Sequence, residues 1–162
     1  MRFQLYGFQL DIPKEYKIQI WKGSMYFEGT IEISDFENNL IKMDWNELNK
    51  IIKIYESPNE FFKSHLDPIK EDKDVVEYNL QEIPWEEKID HTFAFHKFTY
   101  KTERKFPKKG IHDFILGFGE FCHVTNRFVV IQYRPPSNKI DFEETAMKII
   151  KSFKCKCDQT DE

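Results

Sequence analysis

The chain contains little glycine and cysteine, and it has no long apolar run. Its 162 residues include 6 glycines and 3 cysteines, and an odd number of cysteines argues against a closed disulfide framework. The longest run of aliphatic and aromatic residues, Phe128 to Ile131, is far shorter than the roughly 20 residues of a membrane helix. The first residues also lack the apolar stretch of a signal peptide. We therefore expect a cytoplasmic protein with no membrane association.

Aromatic and charged side chains are abundant instead. Aromatic residues make up 16% of the chain and charged residues 32%, with a net charge of −4. A negative net charge disfavours a protein whose whole surface binds nucleic acid, although it leaves room for a local basic patch. The length is typical of one domain. We predict a single α+β domain over residues 1–154 and a polar C-terminal tail over 155–162.

Strands are predicted wherever apolar and polar residues alternate. In the first third of the chain this pattern gives a meander of strands joined by short turns. In the second half it returns on both sides of a loop predicted from Arg104 to Gly110. The predicted strands are Phe8–Ile12, Tyr16–Ile20, Met25–Ser34, Ile41–Trp45, Val76–Leu80, Phe93–Tyr100, Phe114–Phe121 and, as a central strand, Phe128–Tyr133.

Helices are predicted where the apolar spacing changes to three and four residues. The first helix carries Leu48, Ile51, Ile52 and Tyr55 on one face. A second begins at Ser57-Pro58-Asn59-Glu60, which has the spacing of a capping box, and should end or kink near Pro68. A last helix begins near Asp141 and buries Phe142, Ala146, Ile149, Ile150 and Phe153. Together these elements predict an antiparallel sheet flanked by helices.

Two stretches of the sequence resemble the PsbP-like superfamily, which includes the yeast Ran-binding Mog protein. One is the opening strand Phe8–Pro13, with Tyr16 and Trp21 after it, and the other is the closing helix Ala146–Phe153. The resemblance implies an α/β/α sandwich and a binding or accessory role rather than an enzymatic one. No functional residue carries over, because no motif here matches one.

The cysteines and histidines do not form a recognisable metal motif. Cys155 and Cys157 are separated by one residue, whereas zinc sites usually have wider spacing and four ligands. We interpret Cys122 as a small buried hydrophobe and the two tail cysteines as having no metal, so no cofactor is predicted. The alternative is a Cys/His metal site or redox contact, since the end of the last helix could bring a tail cysteine to Cys122. If a pocket exists, its polar candidates are Cys122, His123 and His96.

The most distinctive polar feature is a basic segment. Lys101, Arg104, Lys105, Lys108 and Lys109 surround Phe106-Pro107, and such a loop can attract phosphate or an acidic partner. The alternative is a solvated hairpin tip whose charges discourage edge pairing, which we favour. Arg127 would extend the patch if the fold brings it close.

The sequence leaves three functional hypotheses, in order. The first is a non-catalytic binding or accessory module with a protein partner. The second is a small-molecule-binding protein or small enzyme with a pocket lined by the Phe-rich strands. The third is contact with nucleic acid or an acidic partner through the segment 101–109.

Overall fold

The fold was analysed in a computed structural model. It describes residues 1–37, 39–105, 108–135, 142–155 and 157, and for 104, 105 and 108–112 it describes the backbone alone. In these residues the strands are β1 (Arg2–Leu5), β2 (Phe8–Asp11), β3 (Lys17–Ile20), β4 (Gly29–Ser34), β5 (Leu40–Glu47), β6 (Val75–Glu82), β7 (His91–Lys105), β8 (Lys108–Cys122), β9 (Arg127–Arg134) and β10 (Lys154–Cys155). The helices are α1 (Leu48–Ile51), α2 (Pro58–Lys70) and α3 (Glu143–Lys151).

The strands form one large and one small antiparallel sheet. The large sheet has the order β3-β4-β5-β9-β8-β7-β6, and the small sheet has the order β1-β2-β10. The predicted α+β class is therefore confirmed, as is the central position of β9, while the predicted opening meander holds for β3-β4-β5 and not for the strand at Phe8, which belongs to the small sheet. None of the helices in the described part of the chain has the length and apolar character needed to cross a membrane.

The two faces of the large sheet are covered differently. Side chains such as Phe118, Ile131 and Met43 share one face, and they belong to a large core cluster that includes residues of α3 and the small sheet. On the other face α2 lies over β7 and β8, and its Phe62 ring packs above Gly117 and Gly119. A methyl group built on Gly117 would approach Phe62 Cε1 to 2.7 Å. Glycine is required at position 117 because the ring of Phe62 occupies the space that a larger side chain would need.

Helix α2 begins at the predicted capping box but does not end where predicted. Ser57 Oγ accepts a hydrogen bond from the Glu60 N–H at 3.2 Å, while the Glu60 carboxylate accepts one from Glu56 rather than from Ser57. The helix runs past Pro68 to Lys70. Pro68 cannot donate to the carbonyl of Ser64, and the helix continues for only two residues after it.

Three other predicted elements differ from the structure. The first helix extends only over Leu48–Ile51 and Ile52 is 46% exposed, although Tyr55 of the predicted face still packs against Phe61 with ring centres 5.2 Å apart. The third strand begins at Gly29 rather than Met25, since the carbonyl of Met25 instead accepts a hydrogen bond from Trp45 Nε1. The predicted loop Arg104–Gly110 is wrong, because β7 and β8 stay paired as far as Lys105 and Lys108.

The close approach of Phe62 to β8 yields a stability prediction. We expect Gly117→Ala to lower the free energy of unfolding by about 1–3 kcal/mol, because the added methyl overpacks the contact with the ring. Urea denaturation measures it. In a Phe62→Leu background the same substitution should cost clearly less, and an equal cost in both backgrounds would show that the ring is not the cause.

Candidate metal centre

One histidine and three cysteines from distant parts of the chain meet at one end of the large sheet. They are His91, Cys122, Cys155 and Cys157, and their ligand atoms all lie within 4.8 Å of one another. We call these four residues the thiol–imidazole cluster. Cys122 and Cys155 are buried and Cys157 is exposed.

The hairpin of β7 and β8 supplies the first two members. His91 begins β7 and stands directly opposite Cys122, which ends β8. Asp90 directly precedes His91, and Asn126 ends the turn from Cys122 to β9; their φ values of 61° and 53° are a left-handed conformation that Asp and Asn adopt more readily than most residues. The Asp90 carbonyl accepts the His123 N–H at 3.0 Å, which closes the end of the hairpin.

The segment after α3 supplies the other two members. Phe153 is buried in the core, and β10 then pairs with β2, so that Cys155 lies opposite Phe8. This pairing directs Cys155 into the interior, where it is fully buried. Cys157 follows two residues later and reaches the cluster from the solvent side.

The distances within the cluster are close to those of a tetrahedral metal site. Cys122 Sγ lies 3.4 Å from Cys157 Sγ and 3.6 Å from Cys155 Sγ, and His91 Nε2 lies 3.1 Å from Cys157 Sγ. With Zn–S bonds of about 2.3 Å, tetrahedral geometry requires S···S separations of about 3.8 Å. These three separations are within about 0.7 Å of the tetrahedral values, and all four ligand atoms lie within 4.8 Å of one another. Three cysteines and one histidine form a common ligand set of structural zinc.

The orientation of His91 suits a metal ligand. Its Nδ1 lies 2.7 Å from the carbonyl oxygen of Ile89, which can only accept, so the proton is on Nδ1. The lone pair of Nε2 then faces the thiols, and this tautomer is the one that a metal-binding histidine needs. The buried carboxylate of Glu120 lies 3.6 Å from the same Nε2. The His91 side chain is only 4% exposed, so solvent competes little for it.

Hydrogen bonds to Cys122 favour its thiolate form. Thr125 Oγ1 donates to Cys122 Sγ at 3.0 Å, and the Thr125 N–H donates at 3.4 Å. The pKa of Cys122 is lowered, first by a hydrogen bond from the thiol of Cys155 and then by those from Thr125. The thiolate is the form that binds a metal ion.

A buried arginine lies beside the cysteines. Arg127 pairs with Cys122 across β8 and β9, is fully buried, and donates from Nη1 to the carbonyl of Tyr6. Its guanidinium carbon lies 4.4 Å from the ring centre of Phe8 and 3.5 Å from that of Tyr26. Burial lowers the pKa of Arg127, whereas Tyr26 and the nearby cysteine thiols raise it. Among the described residues, Nε and Nη2 of Arg127 have no hydrogen-bond partner.

Arg127 would offset the charge of a zinc–thiolate group at the cluster, while the buried carboxyl of Glu120, 3.6 Å from His91 Nε2, is a further acidic group outside that pair. A divalent zinc ion with three thiolates and a neutral histidine carries a net charge of −1. A buried charge needs a nearby opposite charge, and the guanidinium of Arg127 is placed to provide it. The cluster and the arginine together therefore form an arrangement suited to a buried zinc–thiolate centre.

The predicted pocket candidates lie in different places. Cys122 belongs to the cluster. His123 follows Cys122 directly in sequence, but its side chain is exposed and it is not among the cluster residues. His96 lies on the opposite face of the sheet, where Nε2 contacts Asn59 Oδ1 at 2.8 Å and the ring packs edge-on against Phe62.

The predicted basic segment lies at the other end of the hairpin. Lys105, the last residue of β7, is 14 positions from His91, which corresponds to about 45 Å along the strand. Lys101 lies 3.4 Å from the carboxylate of Glu103. The side chains of Arg104, Lys105, Lys108 and Lys109 lie outside the described residues, and Arg127 is buried at the cluster end.

His91 was not among the residues that the sequence analysis selected. The signal that finds it is the register of the hairpin, because the residue numbers of every pair have the same sum, from Lys105 and Lys108 to His91 and Cys122. Placing the turn at Phe106-Pro107 would have put His91 opposite Cys122. The predicted loop of seven residues left that register open.

Comparisons with known proteins do not assign this chain to a family. No protein-family model matches it, and no curated protein matches it either. Its function must therefore be argued from the site itself.

The burial of the three thiols can be tested by alkylation. In the native, metal-free protein we expect N-ethylmaleimide to modify Cys157 rapidly and Cys122 and Cys155 slowly, because only Cys157 is exposed. Mass spectrometry of digested protein at increasing times measures each rate. All three should react alike in urea, and equal rates in the native protein would contradict the buried positions.

Proposed function

We propose that this protein is a non-catalytic binding module whose fold is fastened by a structural zinc ion. The convergence of one imidazole and three thiol ligands within 4.8 Å carries the proposal. Four protein ligands would occupy every position of a tetrahedral ion, which leaves none for water or substrate. That coordination favours a structural role over a catalytic one.

The ion would fasten the C-terminal segment to the sheet. The small strand β10 has only two residues, and it is linked to β2 by a short ladder. Cys155 and Cys157 come from this segment, whereas His91 and Cys122 belong to the long central hairpin. Coordination would therefore join the end of the chain to the middle of the fold, in the way that a cross-link does.

A PsbP-like architecture remains part of this proposal. The placement of α2 on one face of the large sheet, and of α3 with the small sheet on the other, is compatible with a sandwich of that type. The superfamily resemblance in turn supports a binding or accessory role. Contact with nucleic acid through the segment 101–109 stays a prediction.

The alternative of a Phe-lined pocket receives less support. Phe95, Phe118 and Phe121 are buried in the core, and Trp85 packs against Phe118 with ring centres 4.5 Å apart. These rings fill the space that an internal cavity would need. Among the described residues, open clefts border these strands at the sheet edge beside Phe93 and at the surface beside Phe114 and Phe128.

Metal analysis tests the zinc ion. Protein purified without chelator should contain one equivalent of zinc, and His91→Ala, Cys122→Ser and Cys155→Ser should each lose most of it. His123→Ala is the matched control, because this exposed histidine follows Cys122 directly and should leave the zinc content unchanged. Wild-type protein without metal, or zinc retained by all three ligand variants, would contradict the proposal.

Removing zinc should also lower thermal stability. At free zinc 1,000 times the dissociation constant, binding stabilises the folded state by about 4 kcal/mol. For a chain of this length we expect chelation to lower the Tm by about 8–16 °C. Differential scanning calorimetry with and without a chelator measures the shift, and the His91→Ala variant should show none.

A further inference from the structure

The face of the large sheet that carries α2 is covered over only part of its width. Within the described residues, α2 packs on β6, β7 and β8, and the short α1 lies at the ends of β5 and β9. Val130 of β9 stands opposite Gly119, over which the α2 ring of Phe62 packs. Asp44 and Thr30 continue this row away from α2, so their side chains lie on the part of the face beyond the helix.

This part of the sheet is the floor of a cleft of about 620 Å³. One wall is the loop between β3 and β4, which contributes Trp21 and Glu28. The other wall consists of Ile51 of α1 with Phe61 and His65 of α2. The volume is that of a site for a small ligand.

Aromatic rings line both walls of the cleft. Trp21 is 48% exposed, and the Nζ of Lys42 lies 5.5 Å from the centre of its ring. On the other wall the half-buried ring of Phe61 packs against the exposed ring of His65, with centres 4.1 Å apart. The exposed indole therefore offers a surface on which a ligand ring can stack.

The floor is polar and combines hydrogen-bond donors with acceptors. Asp44 accepts hydrogen bonds from Thr30 Oγ1 at 2.6 Å and from Lys42 Nζ at 3.1 Å. The side chains of Lys42 and Asp44 are 40% and 41% exposed, so a ligand in the cleft can reach them. The amide of Gln132 has no hydrogen-bond partner within the described part of the chain. It offers both a donor and an acceptor to a ligand.

The charges around the cleft cancel. Two lysines, Lys22 and Lys42, and two acidic residues, Glu28 and Asp44, belong to its lining. A site with this balance has no net attraction for phosphate groups or for a strongly basic partner. The cleft therefore favours a ligand without net charge.

The backbone of the floor is not open to a peptide strand. Strand β4 pairs with β3 on one side and β5 on the other, and β5 also pairs with β9. A peptide cannot add to strands whose edges are already paired. An apolar ligand is disfavoured as well, because it would cover polar floor side chains without replacing their hydrogen bonds to water.

A carbohydrate matches the walls and the floor together. Each sugar hydroxyl both donates and accepts hydrogen bonds, which suits the Gln132 amide, the Asp44 carboxylate and the Lys42 ammonium group. The C–H groups on the face of a sugar ring are weakly positive, and they pack favourably on the negative face of an indole ring.

We propose that this cleft binds a short, neutral carbohydrate, with a sugar ring stacked on Trp21 and hydroxyls hydrogen-bonded to the floor. The proposal rests on the proposed binding role and names the class of ligand. It does not depend on the zinc ion, because none of the four residues of the thiol–imidazole cluster lines the cleft.

A glycan array tests the proposal on the full chain as purified. The array should carry neutral oligosaccharides of glucose, galactose, mannose and N-acetylglucosamine beside sialylated and sulfated glycans, and we expect the neutral ones to bind. In calorimetric titration with the best neutral glycan, Trp21→Ala should bind about tenfold more weakly, because the stacking surface is lost. Phe36→Ala is the matched control, since it removes an exposed aromatic ring outside the cleft.

A second pair of variants tests the floor. Gln132→Ala should weaken binding about fivefold, because its amide hydrogen bonds to the sugar are lost. Gln81→Ala removes an exposed glutamine of β6 outside the cleft and should bind as the wild type does. In NMR spectra the indole N–H signal of Trp21 should shift on binding, and that of Trp85, which is not a cleft residue, should stay in place.

Several results would overturn the proposal. They are the absence of binding to any neutral glycan, binding to charged glycans alone, equal affinity of Trp21→Ala and Phe36→Ala, and equal affinity of Gln132→Ala and Gln81→Ala. Titration with adenosine adds a further arm, and binding of this nucleoside without any glycan would also refute a carbohydrate site. A protein that holds zinc but fails these tests refutes the cleft alone, and one that passes them without zinc refutes the metal centre alone.

Discussion

The pairing of His91 with Cys122 is the constraint on which the metal centre depends. It is set by the register of two strands of 15 residues each, one of the longest ladders in the described fold. A shift of one residue would turn every side chain of one strand to the opposite face and separate the imidazole from the thiol. Because many buried rings along the hairpin would be displaced by such a shift, the core itself protects the geometry of the cluster.

The same end of the sheet concentrates buried charge, which is unusual for an aromatic core. Arg127 and Glu120 are both fully buried there, on the neighbouring strands β9 and β8. Without a metal ion, the hydrogen bond between the two buried thiols lowers the pKa of Cys122 and raises that of Cys155, so the pair carries one negative charge near Arg127. With zinc bound, all three thiols would be ionised. The net charge of −1 on the zinc–thiolate group would then face the guanidinium of Arg127. The guanidinium therefore faces a net negative charge with or without the ion.

Much of the sheet followed from local patterns in the sequence. Alternation around Ile41–Trp45 and Phe128–Tyr133 located strands that the structure places next to each other, and Ser57 marked the start of α2 correctly. The two-residue strand β10 carries no periodic signal, so it was missed. The alternative of a Cys/His metal site already joined a tail cysteine to Cys122, but His91 was missed for a related reason. Cys122, Cys155 and His91 become neighbours only through the register of the strands and the packing of the C-terminal segment. The spacing of residues along the sequence reveals neither.

X-ray absorption at the zinc edge tests the central claim most directly. For zinc-loaded protein we expect a first shell of three sulfur atoms at about 2.3 Å and one nitrogen atom at about 2.0 Å. That shell would identify the thiol–imidazole cluster as the metal centre. A shell made only of nitrogen and oxygen atoms would mean that zinc binds elsewhere and would contradict the account.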